Sequence, residues 1–183
     1  ASNVEGSLDV VAQAVQQSGL RSVLCYEVSD RHGEHYTKAG INENLRFLKA
    51  IGGGDSHDRL RGMFGLHASM SLSDATLEAC AMAVPSDIGF HIHVAEHNAD
   101  QENSLDRSGL SVVERLHKFG ILGPDTIAAH CVYLSPAEID IMAETETWVT
   151  HQPRSNMNNG VGVAEVDQML NKGVQVGLGN DGF

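Results

Sequence analysis

Positive charge is scarce in this sequence. Lysine and arginine number 12 against 24 aspartates and glutamates, a formal net charge of −12. An acidic surface argues against a phosphate backbone or an anionic membrane as partner, so neither is expected. Cysteine is also scarce: Cys25, Cys80 and Cys131 are dispersed, with no CxxC knuckle. That pattern fits reduced thiols in the cytoplasm rather than a disulfide frame. No apolar run reaches transmembrane length, and no signal peptide is read at the start, where Ser7–Ala12 already looks helical. The glycine-rich stretch from Gly52 to Asp58 reads as a flexible turn. No Lys-Ser/Thr follows it, which excludes a phosphate cradle. Aromatics make up only 5% of the chain against 19 glycines, a balance that fits a turn-rich α/β protein. With 183 residues, 42% of them hydrophobic, there is enough for one globular core.

What is present is concentrated in His91-Ile92-His93-Val94-Ala95-Glu96. The run 88–95 reads as a buried strand. Residues two apart on a strand share a face, so His91 and His93 point one way together. Glu96 falls just past the strand. Imidazoles and a carboxylate at a strand end suit metal-assisted hydrolysis; the alternative is a pair of packed core histidines. Other apolar strands end similarly, in His67, His130, His151 and, near 180, Asp181. Carboxyl ends of parallel strands form one face of an α/β fold, so this series points to a site there.

The periodicity predicts helix 5–18 with Leu8, Val11, Ala12 and Val15 inward, then strand 21–28 and a helix near 40–51. Strand 60–67 follows, then a helix capped by Ser73 with Leu72, Ala75, Leu77 and Cys80 inward. After strand 88–95, residues 96–106 read as a polar loop, too irregular for an EF-hand. Helix 109–119, strand 126–132, helix 136–145 capped by Ser135, strand 147–151, helix 163–172 and strand 174–180 complete the pattern. Strict alternation predicts a parallel sheet. A doubly wound sheet and a (β/α)₈ barrel both fit, and site residues on nearly every strand favour the barrel. Six strands fall short of the barrel's eight, so the expectation is one domain, 1–183, forming an incomplete barrel.

Taken with Leu24–Arg31, Gly65–Ser69, Ala129–Val132, Ser155–Asn159 and Gly177–Gly182, the His91–Glu96 motif resembles the amidohydrolase superfamily. The likeness lies in its chlorohydrolase and nucleobase-deaminase branch, nearest the SsnA-type aminohydrolases. It covers the whole chain in order and implies that these strands are numbers three to eight of a barrel. It implies His93 and Asp181 as ligands of one divalent metal, zinc first, with iron and manganese suited to the same donors. Glu96 becomes the proton shuttle, His130 the group that polarises substrate or orients water, and Asp181 the proton acceptor. His67 and Asn156 become substrate contacts. The implied activity is hydrolysis of a non-peptide carbon–nitrogen bond, such as deamination of a small heterocyclic substrate.

The family's strand-one His-x-His metal pair has no counterpart here, since His91-x-His93 sits in the strand-five context. The last helix and the small β domain are also missing from the pattern. The chain alone is therefore expected to hold metal weakly and to turn over little. A catalytically silent barrel piece completed by a missing segment, or a small-molecule binding module, are the alternatives. Unpaired sheet edges would favour self-association into a homo-oligomer.

Single residues carry smaller expectations. His91 is expected to pack rather than ligate, and His151 to be structural or substrate-lining. His32, His35, His57, His97 and His117 are expected at the surface. Met157 and Met169 are read as packing residues, and Gly177 and Gly179 as allowing close approach or a turn. Cys131 beside His130 suggests a Cys–His nucleophile only weakly, because adjacent strand residues face opposite sides. The loop with Asp30 and Arg31 is a candidate gate to the pocket.

Overall fold

The computed structural model describes residues 4–52 and 59–182. The expected turn at 53–58 and His57 lie outside the described residues. In order the chain forms α1 (Ser7–Ser18), β1 (Ser22–Leu24), α2 (Glu34–Gly52), β2 (Leu60–Gly62), β3 (Phe64–Ala68) and α3 (Asp74–Ala83). There follow β4 (Phe90–Val94), α4 (Asn98–Ser108), α5 (Val112–Lys118), β5 (Ile127–His130), α6 (Pro136–Glu144), β6 (Trp148–His151), α7 (Pro153–Asn159), α8 (Val166–Asn171) and β7 (Val176–Leu178).

All strand pairs are parallel. β3 to β7 form one sheet in strict chain order, and β1 pairs with β2. A Val28–Leu66 bridge continues the β1 side of the wall alongside β3. A doubly wound sheet reverses its strand order at a switch point; this one does not. The fold is a partial (β/α) barrel wall of six strand positions. Its helices touch in sequence outside it: α1 with α2, α2 with α3, α4 with α5, α5 with α6 and α6 with α8.

The two faces of β4 explain the core. Phe90, Ile92 and Val94 are buried, while His91 and His93 alternate with them on the other face. The buried set packs with Leu77, Val113, Leu116, Ile139 and Met142. Each such side chain stabilises by about 1.5–3 kcal/mol on removal from water.

The structure corrects several expected elements. The apolar run 60–67 is split at Met63: Leu60–Gly62 pairs with β1, and Phe64–Ala68 pairs with β4. The ladder of 21–28 is regular only over Ser22–Leu24, and α2 begins at Glu34 rather than near 40. The polar stretch 96–106 is mostly helix α4, capped by the His97 side chain and ended by Gly109. Gly109 therefore closes one helix rather than opening the next, which starts after a capping box of Ser111 and Glu114. Pro153–Asn159 is helical, and the helix expected at 163–172 is only Val166–Asn171. Val11 and Ala75 face solvent; Leu8, Ala12, Leu72, Leu77 and Cys80 are inside as read. Among the described residues, no helix is long and apolar enough to cross a membrane.

Candidate active site

Strand ends bring the histidines into a file. β3 carries one extra residue relative to β4 between Gly65 and Ala68. Such a bulge re-aims side chains, and here it includes His67. The His67 and His93 ring centroids are 5.4 Å apart, as are those of His93 and His130. His91 lies deeper, its ring edge-on to His93 at 6.3 Å. Burial first, then the charges of Arg31 and His93, pushes His67 down to about 4. Burial, with His93 and His130 nearby, also lowers His91. Both rings are neutral at neutral pH.

His67, His93 and His130 each have one ring nitrogen committed to the protein. His93 Nδ1 is 2.6 Å from the His67 carbonyl, an acceptor only, so Nδ1 carries a hydrogen and Nε2 is the nitrogen left over for a metal or substrate. His67 Nδ1 meets Ser71 Oγ at 2.7 Å, and that hydroxyl donates to Ala68 O. His130 is 1% exposed. Its Nδ1 lies 2.9 Å from Asn156 Oδ1. Its Nε2 faces two carboxylates, Glu96 at 3.7 Å and Asp181 at 3.9 Å.

The carboxylates are held in turn. Ser155 Oγ donates to Asp181 at 2.6 Å, and Asn159 Nδ2 donates to Glu96 at 3.2 Å. The Ser155 hydroxyl outweighs burial and keeps Asp181 below the usual carboxylate range, helped by the Gly182 N–H and by His130 and His93. A third carboxylate, Glu27, stands 3.5 Å from His93 Nδ1. Donor atoms of Glu27, His67 and His93 all lie within 4.8 Å of one another. The His67 carbonyl is the closer partner of that Nδ1, which leaves Nε2 as the free donor of His93.

The backbone is strained where these groups converge. Ala95, His130, Cys131 and Asp181 are four of the five non-glycine residues with positive φ among the described residues. Such conformations persist only where surrounding structure enforces them, and they concentrate at functional sites. A cavity of about 140 Å³ opens among His67, His93, Glu96 and Asp100. A hollow of about 390 Å³ beside it is walled by Tyr26, Glu27, His32 and Tyr36. A wider groove of about 440 Å³ between α1 and α2 contains no imidazole.

His67, His93, Glu96, His130, Asn156 and Asp181 thus come together. Asn156, a substrate contact in the resemblance, is 1% exposed, with its Oδ1 against His130 Nδ1 and its Nδ2 buried and unpartnered. Glu27, Ser155 and Asn159 also border the cluster, and the sequence motifs assign none of them an individual role. Ser155 and Asn159 fall one turn apart, as i and i+4, on the unread helix α7; helical spacing was the available signal. His151 has a buried Nδ1 without a partner. Cys131 is fully buried and its thiol is pushed far up by desolvation, which removes it as a nucleophile. His32, His35, His97 and His117 are exposed as expected. Met157 is exposed and Met169 buried.

Residues 2–183 match the Amidohydrolase family model. The chain belongs to the amidohydrolase family. Among curated members it is 39% identical over 176 residues to a 5'-deoxyadenosine deaminase of Methanothermobacter thermautotrophicus, covering 96% of this chain and 41% of that protein. It is 38% identical over 177 residues to 5-methylthioadenosine/S-adenosylhomocysteine deaminase 2 of Archaeoglobus fulgidus, covering 96% and 42%. This amidohydrolase chain therefore spans about 40% of the length of these relatives. Among solved structures, an adenosine deaminase from Xanthomonas campestris with bound zinc superposes with a TM-score of 0.86 at 24% identity, covering 95% of this chain and 40% of that one. An atrazine chlorohydrolase from Arthrobacter aurescens, also with zinc, gives 0.79 at 20% identity, covering 96% and 41%. At these identities the structural likeness establishes the amidohydrolase fold.

Proposed function

We propose that this chain carries the acid–base half of a metal-dependent deaminase that hydrolyses the exocyclic C–N bond of an aminated heterocycle. Adenine nucleosides are the first substrate class to test, because the relatives near 39% identity bear deoxyadenosine deaminase names. The carrying observation is the convergence of His93, Glu96, His130 and Asp181 around one small space.

Two donors suited to a divalent cation are present. His93 has a free Nε2, its other nitrogen being tied to a carbonyl, and Asp181 is an ionised carboxylate nearby. These two would hold the metal, zinc by preference, since imidazole and carboxylate suit it. When bound, it supplies the Lewis acidity that makes hydroxide available at neutral pH. Asp181 accepts the proton of the attacking water. Glu96 delivers a proton to the ring or leaving nitrogen as general acid. His130, held through Nδ1 by Asn156, steadies charge developing on the oxygen that is added. Asn156 thereby acts through His130 rather than on substrate. His67, neutral and lining the cavity, contacts the heterocycle, and the hollow beside Glu27 receives the rest of the molecule. Three free cysteines fit a cytoplasmic setting.

Two measurements test this reading. Elemental analysis after incubation with excess zinc should find metal at less than one per chain, in keeping with two ligands, and less still in His93→Ala. Ammonia release should be detected from 5'-deoxyadenosine or a related aminated heterocycle, and be lost in Glu96→Gln. Bound metal with no ammonia from any such compound would favour a binding module. No metal and no turnover would favour a silent barrel piece.

A further inference from the structure

We infer that Asp100 is a positioning residue that fixes His67 and Glu96 relative to each other, by gripping with its two carboxylate oxygens the turns that follow β3 and β4. The inference rests on the proposed roles of those two groups. Asp100 sits in the first turn of α4 and is 4% exposed. Its Oδ1 accepts from the Met70 N–H at 2.8 Å, and its Oδ2 accepts from the Ala95 N–H at 3.1 Å.

Each of those amides controls a site residue. Ala95 has φ 45° and directly precedes Glu96. An L-residue there is strained, so the hydrogen bond to its N–H helps impose the direction in which Glu96 leaves the strand. Met70 lies in the short turn Ser69–Ser71. Ser71 of that turn holds His67 Nδ1. The same turn is gripped from the other side by Arg115, 1% exposed, which donates to Ser69 O at 2.9 Å and Leu72 O at 2.8 Å. One buried acid takes the turn's N–H and one buried base takes its carbonyls. Only the acid also reaches the β4 turn, so Asp100 joins the two site positions.

An asparagine at 100 has the same shape but presents one acceptor, leaving one of the two N–H groups facing an NH₂. In Asp100→Asn, amide exchange at Met70 or Ala95 should accelerate about tenfold to a hundredfold, beyond any change at the slowest core amides. kcat should fall by a similar factor with KM changed much less. Ala95→Gly accepts positive φ without strain; placed in the Asp100→Asn background it should recover part of the lost kcat. A uniform rise in exchange across the chain, or no recovery by Ala95→Gly, would overturn the inference. Should Asp100→Asn fail to fold, the wild-type chain decides: Met70 and Ala95 amides exchanging at unprotected rates would also overturn it. If the wild type releases no ammonia from any substrate, the proposed function fails, and the exchange data alone decide the role of Asp100.

Discussion

Asp30 shows how a single carboxylate can order a loop that the chain pattern suggested as a gate. It accepts from the Ser73 N–H at 2.7 Å and from the hydroxyls of Thr76 and Thr37, each at 2.9 Å. Burial raises its pKa, but these hydrogen bonds outweigh it and the net direction is down. The loop after β1 is thereby tied to the start of α3. Because the folded pKa lies below about 3.9, the value for an unfolded chain, ionised Asp30 stabilises the fold above that pH. The contribution is lost as pH falls through the folded pKa. Asp30→Asn should cost about 1–2 kcal/mol at neutral pH by urea unfolding. The gap from wild type should close as the pH falls below about 3.9 and on through the folded pKa; an unchanged gap once Asp30 is protonated in both states would refute the tether. Residues of this kind were illegible in the chain, whereas His93, Glu96, His130 and Asp181 were legible. The latter stand where apolar runs give way to polar ones. Asp30, Asp100 and Ser155 act on backbone groups or side chains brought near only by folding.

At the scale of elements, the two helices without any counterpart in the apolar pattern, α4 and α7, have polar inner faces. α4 buries Asp100, Gln101 and Ser104, so apolar periodicity had nothing to detect. Gln101 gives its amide to Tyr133 O and to Glu138, and takes the Val112 N–H. That network explains why a helix of such composition packs inward. Glycines divide by the same logic of proximity. A Cβ on Gly89 would fall 1.7 Å from Asp125 O, a backbone atom, whereas one on Gly177 would meet nothing within 4 Å. Of the two alternatives read for these glycines, close approach or a turn, close approach applies at Gly179, which abuts Gln152, and not at Gly177 among the described residues. Gly89→Ala should therefore destabilise by about 1–3 kcal/mol, as overpacked sites do. Gly177→Ala should be near neutral. Thermal unfolding of the two variants checks this, and equal behaviour would mean that the start of β4 yields more readily than its packing indicates.

For the whole molecule, strand order was readable because parallel strands and helices alternate, and the choice between barrel and open sheet was decided by the absence of a switch point. The edges are a separate matter. Among the described residues, β1 pairs only with β2 and β7 only with β6. Val23 is 55% exposed and Leu178 83% exposed. An unpaired strand edge with exposed apolar side chains is a template for another chain. Both strands are only three residues long, which limits the strength of any pairing. We therefore predict weak, concentration-dependent association of the 183-residue chain, seen by light scattering over the micromolar to millimolar range. A lysine at a strand edge opposes such pairing, so Leu178→Lys should lower the apparent mass at equal concentration. Asp181 lies just beyond β7, so pairing there would also disturb its contact with Ser155. Metal retention should consequently be better in Leu178→Lys than in the wild type at high concentration. A wild-type chain that stays monomeric throughout would mean that its edges are too short to recruit a partner strand.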